Sequence, residues 1–155
     1  EKLFERYVEN CIRKQLLPTA RLKSQSTSQY LCEHDSARMF CLKPDFLIDT
    51  PVQRWILDTK WKRVDSRKPK KNYDLKQSDF YQLFAYGHKY RNETGVPKLV
   101  LIYPYWSGLQ EALPVFDYGQ EMNLWVLPFD LDEECLIDAE ETTLPLCSAL
   151  SAQAG

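Results

Sequence analysis

The sequence predicts an α/β domain in which helices flank a central mixed β-sheet. Two observations carry this prediction. Segments with apolar residues at three- and four-residue spacing alternate with short apolar runs that read as strands, in the order helix, strands, helix, strand and further strands. The length of 155 residues fits one domain with its own core. We expect that domain to span residues 1–147, followed by a frayed tail over residues 148–155.

The first quarter of the chain begins with a helical pattern. Apolar residues recur every three or four positions from Lys2 to Leu17, and Pro18 ends the pattern. The mostly polar stretch from Ala20 to Cys32 fits a short strand or an ordered loop, and both readings stay open. The residues from Glu33 to Ala37 have the composition of a turn.

Two extended segments follow. The apolar stretch from Arg38 to Ile48 predicts a strand that Pro44 interrupts. Turn residues at 49–51 separate it from a second strand, predicted from Gln53 to Trp61. Together the segments predict a hairpin or two adjacent strands.

A charged loop and a second helix come next. The loop extends from Val64 to Lys76 and contains few apolar residues. Ser78 has the chemistry of an N-cap for a helix from Asp79 to about Tyr90. The predicted packing face of that helix consists of Phe80, Leu83, Phe84 and Gly87.

The last third of the chain predicts strands and one acidic segment. The uninterrupted apolar run from Leu99 to Tyr103 is typical of a buried strand. Two further strands are predicted from Leu113 to Tyr118 and from Leu124 to Phe129. The acidic stretch from Asp130 to Glu141 reads as a solvated loop or a short helix.

Charge and composition narrow the classes of function. The net charge of −2 excludes a basic field over the whole surface, so any polyanion must bind to a local patch. The five cysteines are widely spaced, form no CxxC pair and have only two histidines as possible co-ligands, which argues against a structural zinc site. Free thiols indicate a reducing, cytoplasmic location. The sequence contains neither a signal peptide nor a membrane span, and its first residue is Glu, so we expect a fragment of a longer protein.

Two carboxylates and a lysine form the strongest chemical pattern. Asp45 follows Pro44 at the start of one strand, and Asp58 and Lys60 lie at the end of the next, facing the same way because side chains alternate along a strand. Two carboxylates, with the Thr59 carbonyl as a third ligand, suit Mg²⁺. Lys60 would then orient a water or neutralise developing charge. The alternative is a turn cap at Asp45 and a simple Asp58–Lys60 ion pair on an edge strand.

Two helices supply further candidates. Gln82 and Tyr86 are four residues apart on one helix face, which Asp79 and Tyr90 extend. The alternative is an ordinary polar surface face. Glu5 on the first helix is a candidate additional metal ligand, or else a solvated glutamate.

A basic segment directly follows Lys60 and is positioned to follow a phosphate backbone. A solvated charge run is the alternative. The candidate DNA-binding residues are Lys62, Arg63, Arg67, Lys68, Lys70 and Lys71.

These residues resemble a known nuclease pattern. Pro44-Asp45 followed by Asp58-Thr59-Lys60 is similar to the PD-(D/E)xK superfamily, and Gln82 with Tyr86 resembles its QxxxY motif. More closely, the chain resembles the McrC family, the nuclease subunits of McrBC modification-dependent restriction systems. The segments that carry this likeness lie between residues 3 and 104 and read LFERYV, LKPDFLID, WILDTKWK, SDFYQLFAYGHKY and LVLIYP.

The resemblance implies a fold, an activity and partners. It implies a restriction-endonuclease-like core and a double-strand DNA endonuclease that requires Mg²⁺, with Mn²⁺ as a substitute. It also implies an McrB-like AAA+ motor that hydrolyses GTP and recognises methylcytosine-containing DNA, with this chain as the C-terminal nuclease part. By resemblance, Asp45, Asp58 and Glu5 lie at the metal and Lys60 is the catalytic lysine, with Gln82 and Tyr86 as auxiliary residues.

Two alternatives remain beside this interpretation. One is a RecB-like nuclease, whose cluster-bearing branch the scattered cysteines disfavour. The other is a catalytically silent module of nuclease fold that docks on a motor or binds DNA without cutting. The retained Asp45, Asp58 and Lys60 argue against the silent module.

Overall fold

The computed structural model describes residues 1–147. Helix α1 spans Lys2–Gln15 and helix α2 spans Gln77–Lys89. Short 3-10 turns cover Pro69–Asp74 and Glu140–Thr142. The strands are β1 (Arg21–Ser24), β2 (Gln29–His34), β3 (Ala37–Leu42), β4 (Phe46–Asp49), β5 (Arg54–Thr59), β6 (Lys98–Pro104), β7 (Phe116–Asp117), β8 (Asn123–Asp130) and β9 (Cys135–Leu136).

The main sheet is mixed, which confirms the predicted fold class. Its strand order is β1-β4-β5-β6-β8-β7, with β9 also paired to β8. The first three of these strands pair antiparallel, whereas β5, β6 and β8 pair parallel. The carboxyl ends of β5, β6 and β8 therefore meet at one edge of the sheet, where ligands bind in open α/β sheets.

Helices cover both faces of this sheet. On one face, Val8 and Ile12 of α1 pack with Trp55 and Leu57 of β5. On the other, Leu83 of α2 belongs to the same buried cluster as the intervening strand residue Ile56. Because side chains alternate along a strand, Asp58 continues the α2 side of β5. Burial on both faces explains why β6 is apolar from Leu99 to Tyr103.

The first half of the chain follows the predicted elements but divides them between two sheets. Helix α1 is confirmed, and the open stretch from Ala20 to Cys32 contains β1 and the start of β2. The extended stretch from Arg38 to Ile48 is interrupted around Pro44, as predicted, because the chain leaves β3 at Leu42 and enters the main sheet only at Phe46. Strands β2 and β3 form a separate two-stranded ribbon. Pro44, between the two sheets, cannot donate to a strand ladder.

The turn of this ribbon lies where the sequence predicts one. Asp35 and Ser36 connect β2 to β3 with positive φ angles of 51° and 67°. Two consecutive residues of this kind make the tight turn that matches the twist of paired strands.

The start of α2 also differs from prediction. Ser78 is not the N-cap, because the helix begins at Gln77 and the capping position is Lys76, whose side chain makes no capping hydrogen bond. Ser78 instead lies in the first turn. The predicted packing face is wrong in part: Leu83 and Gly87 are buried, but Phe84 is 41% exposed. Asp79 and Tyr86 are buried in its place, because the sheet edge supplies polar partners for them.

The remaining segments are shorter or more structured than expected. The charged loop from Val64 to Lys76 contains a 3-10 turn. Only Phe116–Asp117 of the predicted strand from Leu113 to Tyr118 is extended and paired, whereas β8 confirms the strand after it. The acidic stretch from Asp130 to Glu141 contains β9 and the start of a 3-10 turn. The predicted frayed tail, residues 148–155, lies outside the described residues.

Within residues 1–147, neither helix has the length and apolar character needed to cross a bilayer.

Candidate functional site

Asp45 and Asp58 lie side by side at the carboxyl edge of the sheet. Strands β4 and β5 are antiparallel with Phe46 opposite Leu57, so the preceding and following residues, Asp45 and Asp58, are also neighbours. The Asp45 backbone N–H donates to Asp58 Oδ1 at 3.1 Å. Thr59 donates to Asp45 Oδ2 through both its backbone N–H at 2.7 Å and its hydroxyl at 2.8 Å. Main-chain contacts therefore hold both carboxylates in place.

Lys60 connects this acidic pair to α2. Its Nζ lies 2.8 Å from Asp58 Oδ2 and donates to Gln82 Oε1 at 2.8 Å. Only 12% of the lysine side chain is exposed. The ammonium therefore has a defined position between strand and helix, which an exposed lysine, with its flexible stem, would lack.

Asp79 also belongs to the site, although the sequence alone did not assign it a role. It is 7% exposed, and its carboxylate oxygens lie 3.7 Å from Lys60 Nζ and 3.2 Å from Lys62 Nζ. The available signal was its spacing of three residues from Gln82, which places both on one helix face. Nothing local in the sequence shows that two lysines face it.

Tyr86 is buried beneath the site instead of lining a surface. Its hydroxyl donates to the Lys43 carbonyl at 3.1 Å, immediately before Pro44-Asp45. Tyr90, one turn later, donates to the carbonyls of Leu42 and Ser26. The predicted Gln82–Tyr86 face is thus the face by which α2 holds the connection between ribbon and sheet.

Glu5 adds a third carboxylate to the group. Burial raises its pKa, and the negative charge of the neighbouring Asp45 raises it further. Gln25 donates a side-chain hydrogen bond to Glu5 Oε1. Helix α1 therefore brings an acid from a distant part of the chain to the aspartate pair.

The surroundings of the site disfavour the ionised form of its central carboxylate, Asp58. Burial raises the pKa of Asp58 to about 7, helped by the adjacent charge of Asp45 and opposed by Lys60. Burial by itself would lower the pKa of Lys60, but Asp58, Asp79 and Asp45 together raise it. A cluster of this kind favours the approach of a further cation.

The described residues contain no cage of three or more His, Cys, Asp or Glu side chains arranged for a metal ion. Mg²⁺ does not require one. It commonly takes one or two carboxylates and completes its shell with waters and phosphate oxygens. Asp45 and Asp58 fit that ligand set, with Glu5 beside Asp45.

The predicted DNA-binding residues differ in their surroundings. Lys62 contacts the buried Asp79, and Lys68 lies 3.3 Å from Asp74. Two further lysines of the set are exposed on the 3-10 turn: Lys70 and Lys71.

The two arginines of the set lie over the Trp106 ring. The guanidinium carbons of Arg63 and Arg67 are 4.8 and 5.4 Å from its centroid. Arg67 also pairs with Asp65 at 2.9 Å. The structure therefore does not gather all six basic side chains around the carboxylates.

Comparison with solved structures supports the fold. A refined half-complex from a tetradecameric assembly of Thermococcus gammatolerans McrB AAA+ hexamers with bound McrC contains a similar chain, with a TM-score of 0.60 and 14% identity. The match covers 99% of this chain and 32% of that chain, so the present chain spans about a third of its length. No curated protein shows significant similarity to the sequence.

A family model identifies the chain more directly. The model described as "McrBC 5-methylcytosine restriction system component" matches residues 1–104. That region is more than half of the 155 residues and contains Glu5, Asp45, Asp58, Lys60, Gln82 and Tyr86. The chain therefore belongs to the family of McrBC 5-methylcytosine restriction system components.

Proposed function

We propose that this chain is the nuclease part of an McrC subunit, which hydrolyses DNA phosphodiester bonds with the help of Mg²⁺. The observation that carries the proposal is the group of Asp45, Asp58 and Lys60 at the carboxyl edge of the sheet, in which Asp58 is buried and the other two are partly buried. A buried carboxylate next to a second carboxylate is costly unless a cation or a proton joins them. A divalent cation suits this pair and the phosphate of a substrate.

The ligands proposed for the ion are Asp45, Asp58, the Thr59 carbonyl and Glu5. An extended backbone directs the N–H and C=O of one residue to the same side. Since the Thr59 N–H points at Asp45, we expect its carbonyl to lie on that side too. When bound, Mg²⁺ supplies Lewis acidity and lowers the pKa of a water. Mn²⁺ is expected to substitute, since it prefers similar ligands.

The other residues of the site position charge. Lys60, held by Asp58 and Gln82, presents an ammonium where it can orient the attacking water or stabilise negative charge on the phosphate. Gln82 fixes that ammonium, and Tyr86 fixes the main chain just before Asp45. This division of roles explains why a polar helix face is buried.

The basic segment after Lys60 is the proposed DNA contact. Lys70 and Lys71 are exposed, and the exposed Arg67 adjoins them. Together with Lys62, Arg63 and Lys68 they would contact phosphates, which sets position and affinity but not sequence. Selection of methylcytosine sites would then belong to other parts of the complex.

The proposed partner is an McrB-like AAA+ motor that hydrolyses GTP, in the cytoplasm. Family membership supports this, as does the fold shared with a chain from an assembly of McrB hexamers with bound McrC. The alternative is a nuclease-like module that docks on the motor without cutting DNA.

Cleavage of a supercoiled plasmid by the complex with its motor, GTP and Mg²⁺ or Mn²⁺ tests the proposal. We expect cleavage that EDTA stops and that Asp58→Asn abolishes. Asp138→Asn is the control for the same chemical change at a distant carboxylate. Asp138 accepts a hydrogen bond from the Thr142 hydroxyl, and the Thr142 carbonyl accepts one from Lys98 at the opposite end of β6. A parent complex that leaves DNA intact would favour the docking module. Full activity in Asp58→Asn would overturn the site assignment.

A further inference from the structure

The outer side of α2 forms one wall of an aromatic groove. This groove has a volume of about 630 Å³ and lies on the side of the helix away from Gln82. Its aromatic lining consists of Tyr73, Phe80, Tyr81, Phe84, Phe116 and Tyr118. Tyr81 is 63% exposed and Phe84 is 41% exposed, although large apolar side chains on a helix are more often turned inward.

The rings are held in place by one another. Phe80 packs edge-on against Phe116 with ring centroids 5.0 Å apart, and Phe84 lies 5.3 Å from Tyr118. The Tyr118 hydroxyl donates to the Phe80 carbonyl at 2.7 Å. The groove is therefore formed before any ligand arrives, which lowers the entropy cost of binding.

Lysines lie on and next to one wall of this apolar surface. Lys76 lines the groove, and the 3-10 turn that contributes Pro69, Asn72 and Tyr73 to the wall also carries the exposed Lys70 and Lys71. Between residues 68 and 76 there are four lysines and one aspartate, Asp74, which pairs with Lys68. The groove therefore combines aromatic faces with a local excess of positive charge.

That combination selects a particular ligand chemistry. Rings that stack on bases, next to cations that contact a backbone, are the common means of binding single-stranded nucleic acid. The volume of the groove lies in the range of small-ligand sites. It is therefore larger than a single base requires. Bases within a duplex are stacked and cannot enter such a groove.

We propose that this groove binds unpaired nucleotides of single-stranded DNA, with bases against Tyr81 and Phe84 and phosphates against Lys70, Lys71 and Lys76. The site lies across α2 from the carboxylates and does not require metal. It thus goes beyond the proposed phosphodiester cleavage. It shares Lys70 and Lys71 with the proposed DNA contact, but Tyr81 and Phe84 have no role in that contact or in cleavage, so loss of base stacking would leave the proposed cleavage untouched.

Fluorescence anisotropy of a labelled oligothymidine, titrated with the full 155-residue chain in EDTA, tests the proposal. We expect Tyr81→Ala combined with Phe84→Ala to weaken binding about tenfold or more, as loss of base stacking does. Phe40→Ala is the matched aromatic control, because Phe40 is 65% exposed but lies on the β2–β3 ribbon. A sugar–phosphate backbone of the same length without bases should bind the parent chain weakly. Its affinity should be close to that of the oligothymidine for the double variant.

The lysines are tested by salt dependence. Lys70→Ala with Lys71→Ala should reduce the slope of log affinity against log salt by about 1.4, at about 0.7 per lost contact with a single strand. The charge-matched control is Lys2→Ala with Lys14→Ala, both exposed on α1.

Four results would overturn the proposal. Equal affinity for the normal and base-free strands would show that stacking contributes nothing. Unchanged binding in Tyr81→Ala with Phe84→Ala would place the strand elsewhere. If sedimentation shows that the parent chain self-associates and that the double variant does not, the groove belongs to a second copy of the chain. If the parent chain binds the motor subunit and the double variant does not, the groove belongs to the motor interface.

Discussion

At the scale of single residues, Asp58 combines burial with the negative charge of a neighbour. It is 3% exposed and contacts the backbone of Asp45, and the pKa of its carboxyl is raised to about 7 from an ordinary value of 3.8. The carboxyl of Asp58 therefore holds its proton more tightly in the folded protein than in the unfolded chain. The folded protein binds more protons than the unfolded one between these two values, so stability falls as pH rises through that window.

Asp58→Asn should remove this dependence. We expect the free energy of unfolding of the metal-free parent, relative to that of the variant, to fall as the pH rises from 4 to 8. Thermal unfolding in EDTA at several pH values measures it. Added Mg²⁺ should stabilise the parent and leave the variant unchanged. A parent whose stability rises from pH 5 to pH 8 relative to the variant would contradict the assignment.

Asp79 is a positioning residue in this arrangement. It faces both Lys60 and Lys62, and its charge contributes to the raised pKa of Lys60. We expect Asp79→Asn to lower kcat about 10- to 100-fold with little change in KM, because the ammonium loses its defined place. The pH–rate profile should also shift to lower pH as the pKa of Lys60 falls.

Measuring that profile separates positioning from simple destabilisation. Asp138→Asn, far from Lys60 and Lys62, should change neither kcat nor the pH–rate profile. If Asp79→Asn changes thermal stability alone, Asp79 has only a structural role.

At the scale of elements, α2 is bound to the ribbon base through two tyrosines. Tyr86 donates to the carbonyl of Lys43, just after β3, and Tyr90 donates to the carbonyl of Leu42, the last residue of β3. The ribbon is otherwise a separate two-stranded sheet, and an isolated ribbon is marginally stable in water. The helix therefore determines how the chain enters β4 with Asp45 in place.

A pair of tyrosine variants tests this connection. Tyr90→Phe should cost about 1–2 kcal/mol, because it leaves buried carbonyls without their donor. Tyr103→Phe should be neutral or slightly stabilising, since among the described residues the Tyr103 hydroxyl has no hydrogen-bond partner. Urea unfolding gives both values. Hydrogen exchange should show faster opening of Gln29–Leu42 in Tyr90→Phe only. Equal costs in the two variants would contradict the anchoring role.

At the scale of the whole molecule, residues 1–147 contain one candidate cleavage site. A single site cuts one strand, so a break in both strands requires two copies or two events. We expect a plasmid assay with the motor complex to show nicked circles first and linear DNA later. The initial rate at which linear DNA forms should rise more steeply than in proportion to the protein concentration. Linear DNA that appears without a nicked intermediate and in proportion to concentration would refute this expectation.

The sequence anticipated much of the fold through local patterns. Helix α1, strand β6 and the turn at Asp35 were predictable, because periodicity and turn chemistry depend on residues close together in the chain. The N-cap predicted at Ser78 was wrong, and the assignment of the stretch from Arg38 to Ile48 to two different sheets was not predicted. In both cases tertiary contacts are involved: the neighbouring Asp79 faces two lysines, and Pro44 lies where the chain passes from the ribbon to the main sheet.

For the candidate site, the sequence by itself determined the chemical groups and their family. Asp45, Asp58, Lys60, Gln82 and Tyr86 were identifiable because their spacing along strands and a helix defines which side chains share a face, and the family model confirms the predicted resemblance to McrBC components. The tertiary structure alone decided that Thr59 holds Asp45, that Asp79 faces two lysines and that an aromatic groove forms outside α2. These contacts join residues from distant parts of the chain, and such partners are set by how the helices pack on the sheet, which local periodicity does not encode.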